Sequence, residues 1–372
     1  MSSKVILLTS SNLGPYHEAQ YTRLSNDGLN LTIVKTPVTE YYRPWEEISQ
    51  SRVFRICCPF DKRQTIFKVA REARKLLQTI NPDVVICIGY NGRYVWITSL
   101  LCYRSGIPCG VYLDGWRRQS QRSVIKEMVK RIYCPTFFEV ALVPGIKAYE
   151  YAHNLGFAED CIFQIGTPID NDHFSQQVNA SLASPHTKYF FSVSRLSQEK
   201  NIATLLTAYA QYRSAGGTWD LCIAGTGPEE TVLKSAVPEQ LRTHINWLGW
   251  VSYDDLPCWY QRASCFVLSS ITEPWGLVVN EAMAAGLPIL VSTRCGCQPD
   301  LCIDGLNGHS FPPNDAKALA KLLILIENMP EDVTRSMGSE SQRIINGRYS
   351  LRSWSAAFRE CIRMSMQRRS TV

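Results

Sequence analysis

No stretch of these 372 residues approaches the roughly 18 consecutive apolar positions of a membrane-spanning helix, so no helical span is expected. The apolar run at 4–9 is too short for a secretory h-region and reads as a first strand. Neither sign of charge dominates: the net charge is +6 and the pI about 8.6. That balance argues against a nucleic-acid partner. It suits a protein that handles anionic small molecules or rests on anionic lipid. Cysteine is plentiful at 14, yet no Cys-x-x-Cys pair occurs. With no secretory signal either, the expected setting is a reducing cytoplasm, with most thiols free and buried. Cys295, Cys297 and Cys302 form a tight group that fits either a metal or redox site or a loop of small residues. The absence of a histidine at zinc spacing favours the loop. Short repeats and low-complexity tracts are also missing.

What remains is an ordinary globular composition, 45% apolar and 19% charged. A single core rarely grows past about 250–300 residues, so two domains are expected. Short β-branched runs at 4–9, 29–35, 53–59, 83–88, 108–113, 141–144 and 161–165 read as strands, with amphipathic helices such as 63–80 and 124–131 between them. A polar stretch at 175–188, containing Pro185, reads as a linker. The alternation then restarts, with strands at 189–194, 221–225, 246–251, 265–269 and 288–292 and helices at 202–213, 229–236, 254–261 and 315–328. Continuous apolar strands separated by helices imply parallel strands buried on both faces, and right-handed crossovers make each set a doubly wound sheet. The expected class is α/β, with two Rossmann-like domains at 1–175 and 176–350 and a terminal segment, 351–372.

Such sheets bind ligands outside the C-terminal ends of their strands, and two of them facing each other would enclose a central cleft. The strongest motif follows a strand. Residues 272–289 read Thr-Glu-Pro-Trp-Gly-Leu-Val-Val-Asn-Glu-Ala-Met-Ala-Ala-Gly-Leu-Pro-Ile. Gly276 opens a helix whose first N–H groups, at Gly276 and Leu277, attract an anion. Glu273 would hang over whatever that anion carries, and Glu281, one turn on, would reach its other side. Two carboxylates so placed suit a ligand with hydroxyls at both ends. The segment resembles the Glu-x7-Glu motif of glycosyltransferase family 4, whose members have the GT-B fold and retain anomeric configuration. The resemblance implies that Glu273 binds donor-sugar hydroxyls and Glu281 the nucleotide ribose.

A second motif, Ser194-Arg195-Leu196 followed by Lys200-Asn201, also ends a strand. Two cations there can converge on a diphosphate and offset the charge of a leaving group. It resembles the Gly-Arg-Leu and Lys-Gly element of the family, with Ser194 and Asn201 in place of the glycines; asparagine tolerates the left-handed conformation. Gly225 and Gly227 match a Gly-x-Gly-Pro turn near the donor. Gly249-Trp250-Val251 matches an element whose backbone meets the base, with Trp250 either stacking there or lying in the core. Residues 304–308 add a late match, so the resemblance covers 189–313.

In the first domain the resemblance is looser. Residues 10–17 stand where the family has a glycine-rich loop, with Gly14 permitting close approach to the donor and His17 either an acceptor-side contact or a surface residue. Asp114 follows the strand at 108–113, either orienting an acceptor hydroxyl or capping a helix. Residues 166–174 resemble the family's element at the domain crossover. The stretch 115–131 carries Arg117, Arg118, Arg122, Lys126, Lys130 and Arg131 against Glu127, interleaved with Trp116, Val124, Ile125, Met128 and Val129. It reads either as a peripheral contact with an anionic membrane, as in lipid-glycosylating members of the family, or as a solvated helix face. In GT-B enzymes the last helix returns to the first domain, and 354–366 suits that role, with the basic tail 363–369 near it.

The activity implied is retaining transfer of a sugar from a UDP- or GDP-type donor to a glycan, lipid-linked or small-molecule acceptor. No cofactor is expected and no metal, since side chains offset the leaving-group charge and no Asp-x-Asp closes a strand. Two alternatives share the donor site: a nucleotide-sugar epimerase, which needs an acid/base pair at the sugar, and a non-catalytic nucleotide-sugar binding protein.

Overall fold

A computed structural model of the chain describes residues 2–10, 12–37, 48–116, 123–176 and 188–370. Ser11, Arg117, Arg118, Arg122 and most of the proposed linker lie outside the described residues. The chain divides into two units, Met1–Pro168 with Leu351–Val372, and Ile169–Ser350.

Among the described residues, the first unit holds β1 (Lys4–Thr9), β2 (Asn30–Lys35), β3 (Arg55–Cys57), β4 (Val84–Ile88), β5 (Cys109–Tyr112), β6 (Val140–Val143) and β7 (Ile162–Gln164). They form one parallel sheet in the order β3-β2-β1-β4-β5-β6-β7. Val5 to Leu8 are sealed on both faces, which is why the strand reads as an unbroken apolar run. Helix Ile66–Ile80 buries Val69, Ala73 and Leu77, four residues apart, and ends where Asn81 turns left-handed. The helix Leu351–Ser370 packs Trp354, Phe358, Cys361 and Ile362 against Val5, Leu7, Val84 and Ile86. It is pinned by the Ser355 hydroxyl on Asp27 at 2.6 Å and by Arg369 on Glu139 at 3.4 Å.

The second unit holds β8 (Tyr189–Val193), β9 (Asp220–Ala224), β10 (Ile245–Gly249), β11 (Cys265–Leu268), β12 (Ile289–Ser292) and β13 (Gly308–Phe311). Their order is β10-β9-β8-β11-β12-β13, again all parallel. The strand order reverses at β8, so the crevice between the C-terminal ends of β8 and β11 is the switch point where such a sheet takes its ligand.

Sequence and structure part at a few places. β13 was not anticipated. Gly-His-Ser-Phe carries no β-branched run, and the strand exists because β12 templates it, pairing Ile289 with Gly308. A Cβ at Gly308 would stand 1.9 Å from the Ile289 carbonyl oxygen, so only glycine fits. The helix expected at 124–131 runs on to Phe137 with Pro135 in its last turn. Helices Pro15–Asn26, Arg93–Ser105, Ile146–Asn154 and Glu331–Arg348 add to those that the sequence pattern predicts.

Candidate functional site

The loop after β8 is laced to the loop after β9. Ser194 N–H donates to the Ala224 carbonyl at 3.0 Å, Leu196 N–H to Thr226 at 2.9 Å, and Glu229 N–H to Leu196 at 3.0 Å. A Cβ at Gly225 would lie 1.9 Å from the Ser194 carbonyl oxygen, and one at Gly227 would lie 2.2 Å from that of Leu196. Close packing of the two backbones is therefore reason enough for both glycines. The result is a rigid turn with Leu196 buried beneath it and Arg195 exposed above.

A single 3₁₀ turn, Gln198–Lys200, follows. Lys200 Nζ forms an ion pair with the Glu273 carboxylate, both side chains largely shielded, at 20% and 12% exposure. Glu199 lies between the two cations. Burial draws its carboxyl pKa upward, but the Ser197 hydroxyl, a backbone N–H and the charges of Lys200 and Arg195 outweigh this and hold it below the usual value. Lys200 thus meets Glu273 directly, while Arg195 acts with Lys200 on the Glu199 carboxyl.

Glu273 is held from the other side. Gly296 N–H donates to the Glu273 carbonyl at 2.9 Å and Cys297 N–H to that of Trp275 at 3.1 Å. A Cβ at Gly296 would meet the Pro274 oxygen at 1.7 Å. Cys295, Cys297 and Cys302 are buried in this support, and burial pushes the Cys302 thiol up to about 12. Among the described residues no group of three or more His, Cys, Asp or Glu side chains could hold a metal ion. Gly276, at φ +107°, starts the helix Leu277–Ala284 in a conformation that excludes other residues. Leu277 is half-buried behind it.

Glu281 lies on the inner side of that helix with no exposed surface. Tyr260, from helix Leu256–Arg262, donates its hydroxyl to Glu281 Oε2 at 2.7 Å. The phenol of Tyr253 is pushed up by burial, reinforced by the carboxylates of Asp170, Glu281 and Asp254. No sequence signal marks Tyr260. Trp250 is 47% exposed, which removes the core reading, and Val251 beside it is half-buried. An open depression of about 470 Å³, lined by Ile271, Thr272, Arg294, Pro313 and Asn314, lies past the ends of β11, β12 and β13.

In the first unit, Gly14 is buried and extended, at φ −120°, and caps helix Pro15–Asn26. Its N–H donates to His17 Nδ1 at 3.3 Å, so His17 is part of the helix cap. Asp114 is exposed just past β5. The next described helix begins at Val124 with Ser123 at its cap position. The sequence does contain one Asp-x-Asp, at Asp170 and Asp172. Asp170 caps the helix Asn171–Ser175 by accepting the His173 N–H at 3.3 Å.

Helix Val124–Phe137 turns its apolar residues outward. Val124, Ile125, Met128, Val129 and Ile132 are 55–75% exposed, while Lys130 is engaged with Glu127 at 2.7 Å. Trp116 departs from the expected interleaving: it is buried under Lys147, whose Nζ lies 5.0 Å from the ring centre. Trp96 and Tyr103, on helix Arg93–Ser105, extend the exposed apolar surface. No helix among the described residues is long and apolar enough to cross a membrane.

Comparison with known proteins bears on this geometry. Residues 174–343, which contain the whole second sheet, match the family model described as glycosyl transferases group 1. The chain is similar to the alpha-monoglucosyldiacylglycerol synthase of Acholeplasma laidlawii, 36% identical over 141 residues, which are 37% of this chain and 34% of the relative. It is also similar to the lipopolysaccharide 1,6-galactosyltransferase of Escherichia coli strain K12, 28% identical over 259 residues and 67% of each chain. The chain thus spans from about a third to two thirds of the length of these curated relatives. Among solved structures, Anabaena Alr3699/HepE in complex with UDP and glucose shares the fold, with a TM-score of 0.74 and 16% identity over 97% of this chain and 99% of the other. The fold is the expected one, GT-B with two parallel-sheet Rossmann-like domains.

Proposed function

We propose that the chain is a retaining, metal-independent glycosyltransferase of family 4 type that uses a nucleotide-diphosphate sugar. The observation that carries this reading is the meeting of Lys200 and Glu273 at the switch point of the second sheet, beside the helix start at Gly276. The diphosphate lies on Arg195, Lys200 and the first N–H groups of that helix. Its arrival separates Lys200 from Glu273, which turns to the sugar hydroxyls. Glu281 takes the ribose, and Gly225, Gly227 and Val251 border the nucleotide. A UDP-type donor is favoured by the UDP-bound structural neighbour.

The acceptor oxygen bonds to the anomeric carbon as the bond from that carbon to the β-phosphate oxygen breaks. The hydroxyl proton passes to the departing phosphate oxygen on the same face, so configuration is retained. Lys200 and Arg195 offset the charge left behind. We assign the acceptor contacts to His17, after β1, and Asp114, after β5, with Gly14 allowing close approach.

A lipid-linked acceptor is favoured by the exposed apolar ridge on helix Val124–Phe137, which carries Lys126 and Arg131 for anionic headgroups. Two relatives whose names point to lipid and lipopolysaccharide substrates support the same choice. The test is a panel of UDP- and GDP-sugars, with acceptors in anionic vesicles and in solution. Transfer with release of the nucleoside diphosphate and retention at the anomeric carbon is expected. Isomerisation of donor alone would favour the epimerase, and binding without turnover the non-catalytic protein.

A further inference from the structure

Resting on the assignment of Lys200 to the donor diphosphate, we infer that Asn201 and Ser269 form a bracket whose task is to position Lys200. Asn201 is left-handed, at φ +57° and ψ +39°, and a glycine would meet that need alone. The side chain does more. Asn201 Nδ2 donates to the Ser269 carbonyl at 3.1 Å and to the Pro313 carbonyl at 2.8 Å, and Oδ1 accepts the Thr204 hydroxyl at 2.8 Å. Only this amide orientation fits, since the flipped one would turn an oxygen toward two carbonyls. Ser269 answers in kind: its hydroxyl donates to the Lys200 carbonyl at 3.0 Å and approaches that of Asn201 at 3.2 Å. Ile271 N–H closes the set on the Glu199 carbonyl at 2.9 Å.

The loop after β8 is thereby tied to the residues following β11 and β13. Lys200 is the residue at the centre of the tie, and its partner Glu273 stands four positions past Ser269 on the β11 side. A long, flexible ammonium stem acts on a transition state only when its Cα is held, because small misplacements of a catalytic group cost large factors in rate. Asn201 and Ser269 are thus positioning residues that act through Lys200.

The test uses Asn201→Gly, which keeps the left-handed turn and removes the three ties of the amide side chain, and Ser269→Ala, which removes the hydroxyl tie to the Lys200 carbonyl without touching the turn. Each is made alone and with Lys200→Met. Hydrogen exchange of peptides covering 196–204 reads the bracket directly, whatever the activity; exchange at least about 10-fold faster in Asn201→Gly is expected. In transfer assays, both variants lower kcat, by about 10-fold for Asn201→Gly, with donor KM within about threefold of the parent protein. Neither adds to the loss caused by Lys200→Met. Unchanged exchange and kcat in Asn201→Gly would reduce Asn201 to a backbone role and overturn the inference. So would a full additional loss in the Lys200→Met background. Failure of the parent protein to turn over any nucleotide sugar would instead overturn the proposed function, with exchange still deciding whether the bracket holds the loop.

Discussion

Replacing Lys200 with methionine keeps the length of the stem and removes the charge, so it isolates what the ammonium does. In the unliganded protein Lys200 is paired with Glu273, and both are mostly shielded from water. Two unit charges about 4 Å apart at an effective dielectric near 20 interact by about 4 kcal/mol. That figure bounds what the same ammonium can give to a phosphate charge that grows as the glycosidic bond breaks. Part of the interaction is already present in the bound donor, and only the increase acts on the rate. The expected loss is therefore about 3 kcal/mol, or roughly 10²-fold in kcat. Breaking this largely shielded pair strands the Glu273 carboxylate, at a stability cost between about 1 kcal/mol, as for an exposed pair, and about 3 kcal/mol, as for a buried one. Initial rates at saturating donor, together with thermal unfolding, separate the two effects. A folded Lys200→Met protein with kcat within threefold of the parent would refute the role given to Lys200.

Tyr260→Phe removes the hydroxyl on Glu281 Oε2 and leaves the ring packed. Donor KM should rise severalfold with kcat little changed, since a ribose contact is made equally in ground and transition states; a selective fall in kcat would contradict the ribose assignment. Transfer should persist in excess EDTA, and a strict requirement for a divalent cation would count against the charge-compensation scheme. Asp27 ties helix Pro15–Asn26 to helix Leu351–Ser370. Burial pulls its carboxyl pKa up, but the Ser355 hydroxyl and the charges of Arg23 and Arg359 bring it below the ordinary value. A depressed folded-state pKa means the contribution is complete above the unfolded value, about 3.9, and is lost as pH falls through the folded one. Asp27→Asn should therefore lower stability to denaturant at pH 7, by a margin that shrinks as pH falls below about 3.9; a gap independent of pH would contradict the pairing.

The sheets were legible because parallel strands buried on both faces leave unbroken apolar runs such as 5–8 and 265–268. Glu273 and Gly276 were legible for a related reason: a strand, a polar turn and a helix start leave a fixed spacing in the chain. β13 was not, since its four residues become a strand only by pairing with β12. Asn201 appeared in the sequence merely as a residue that can stand in for glycine. Its ties run to Ser269 and Pro313, 68 and 112 residues away, and contacts of that range leave no local pattern. The segment 115–131 read as basic residues interleaved with apolar ones, and among its described residues the structure exposes Lys126 and Arg131 together with the ridge of Val124, Ile125, Met128 and Val129. Burial, and not spacing, decided which side of that helix faces the core.

Calorimetric titration with UDP and GDP, in parent, Arg195→Ala, Lys200→Met and Glu281→Ala proteins, addresses the site most directly. Saturable binding of one nucleotide, weakened at least tenfold by every one of these changes, is the predicted result. Binding of equal strength in all four proteins would mean that these side chains do not meet on one ligand.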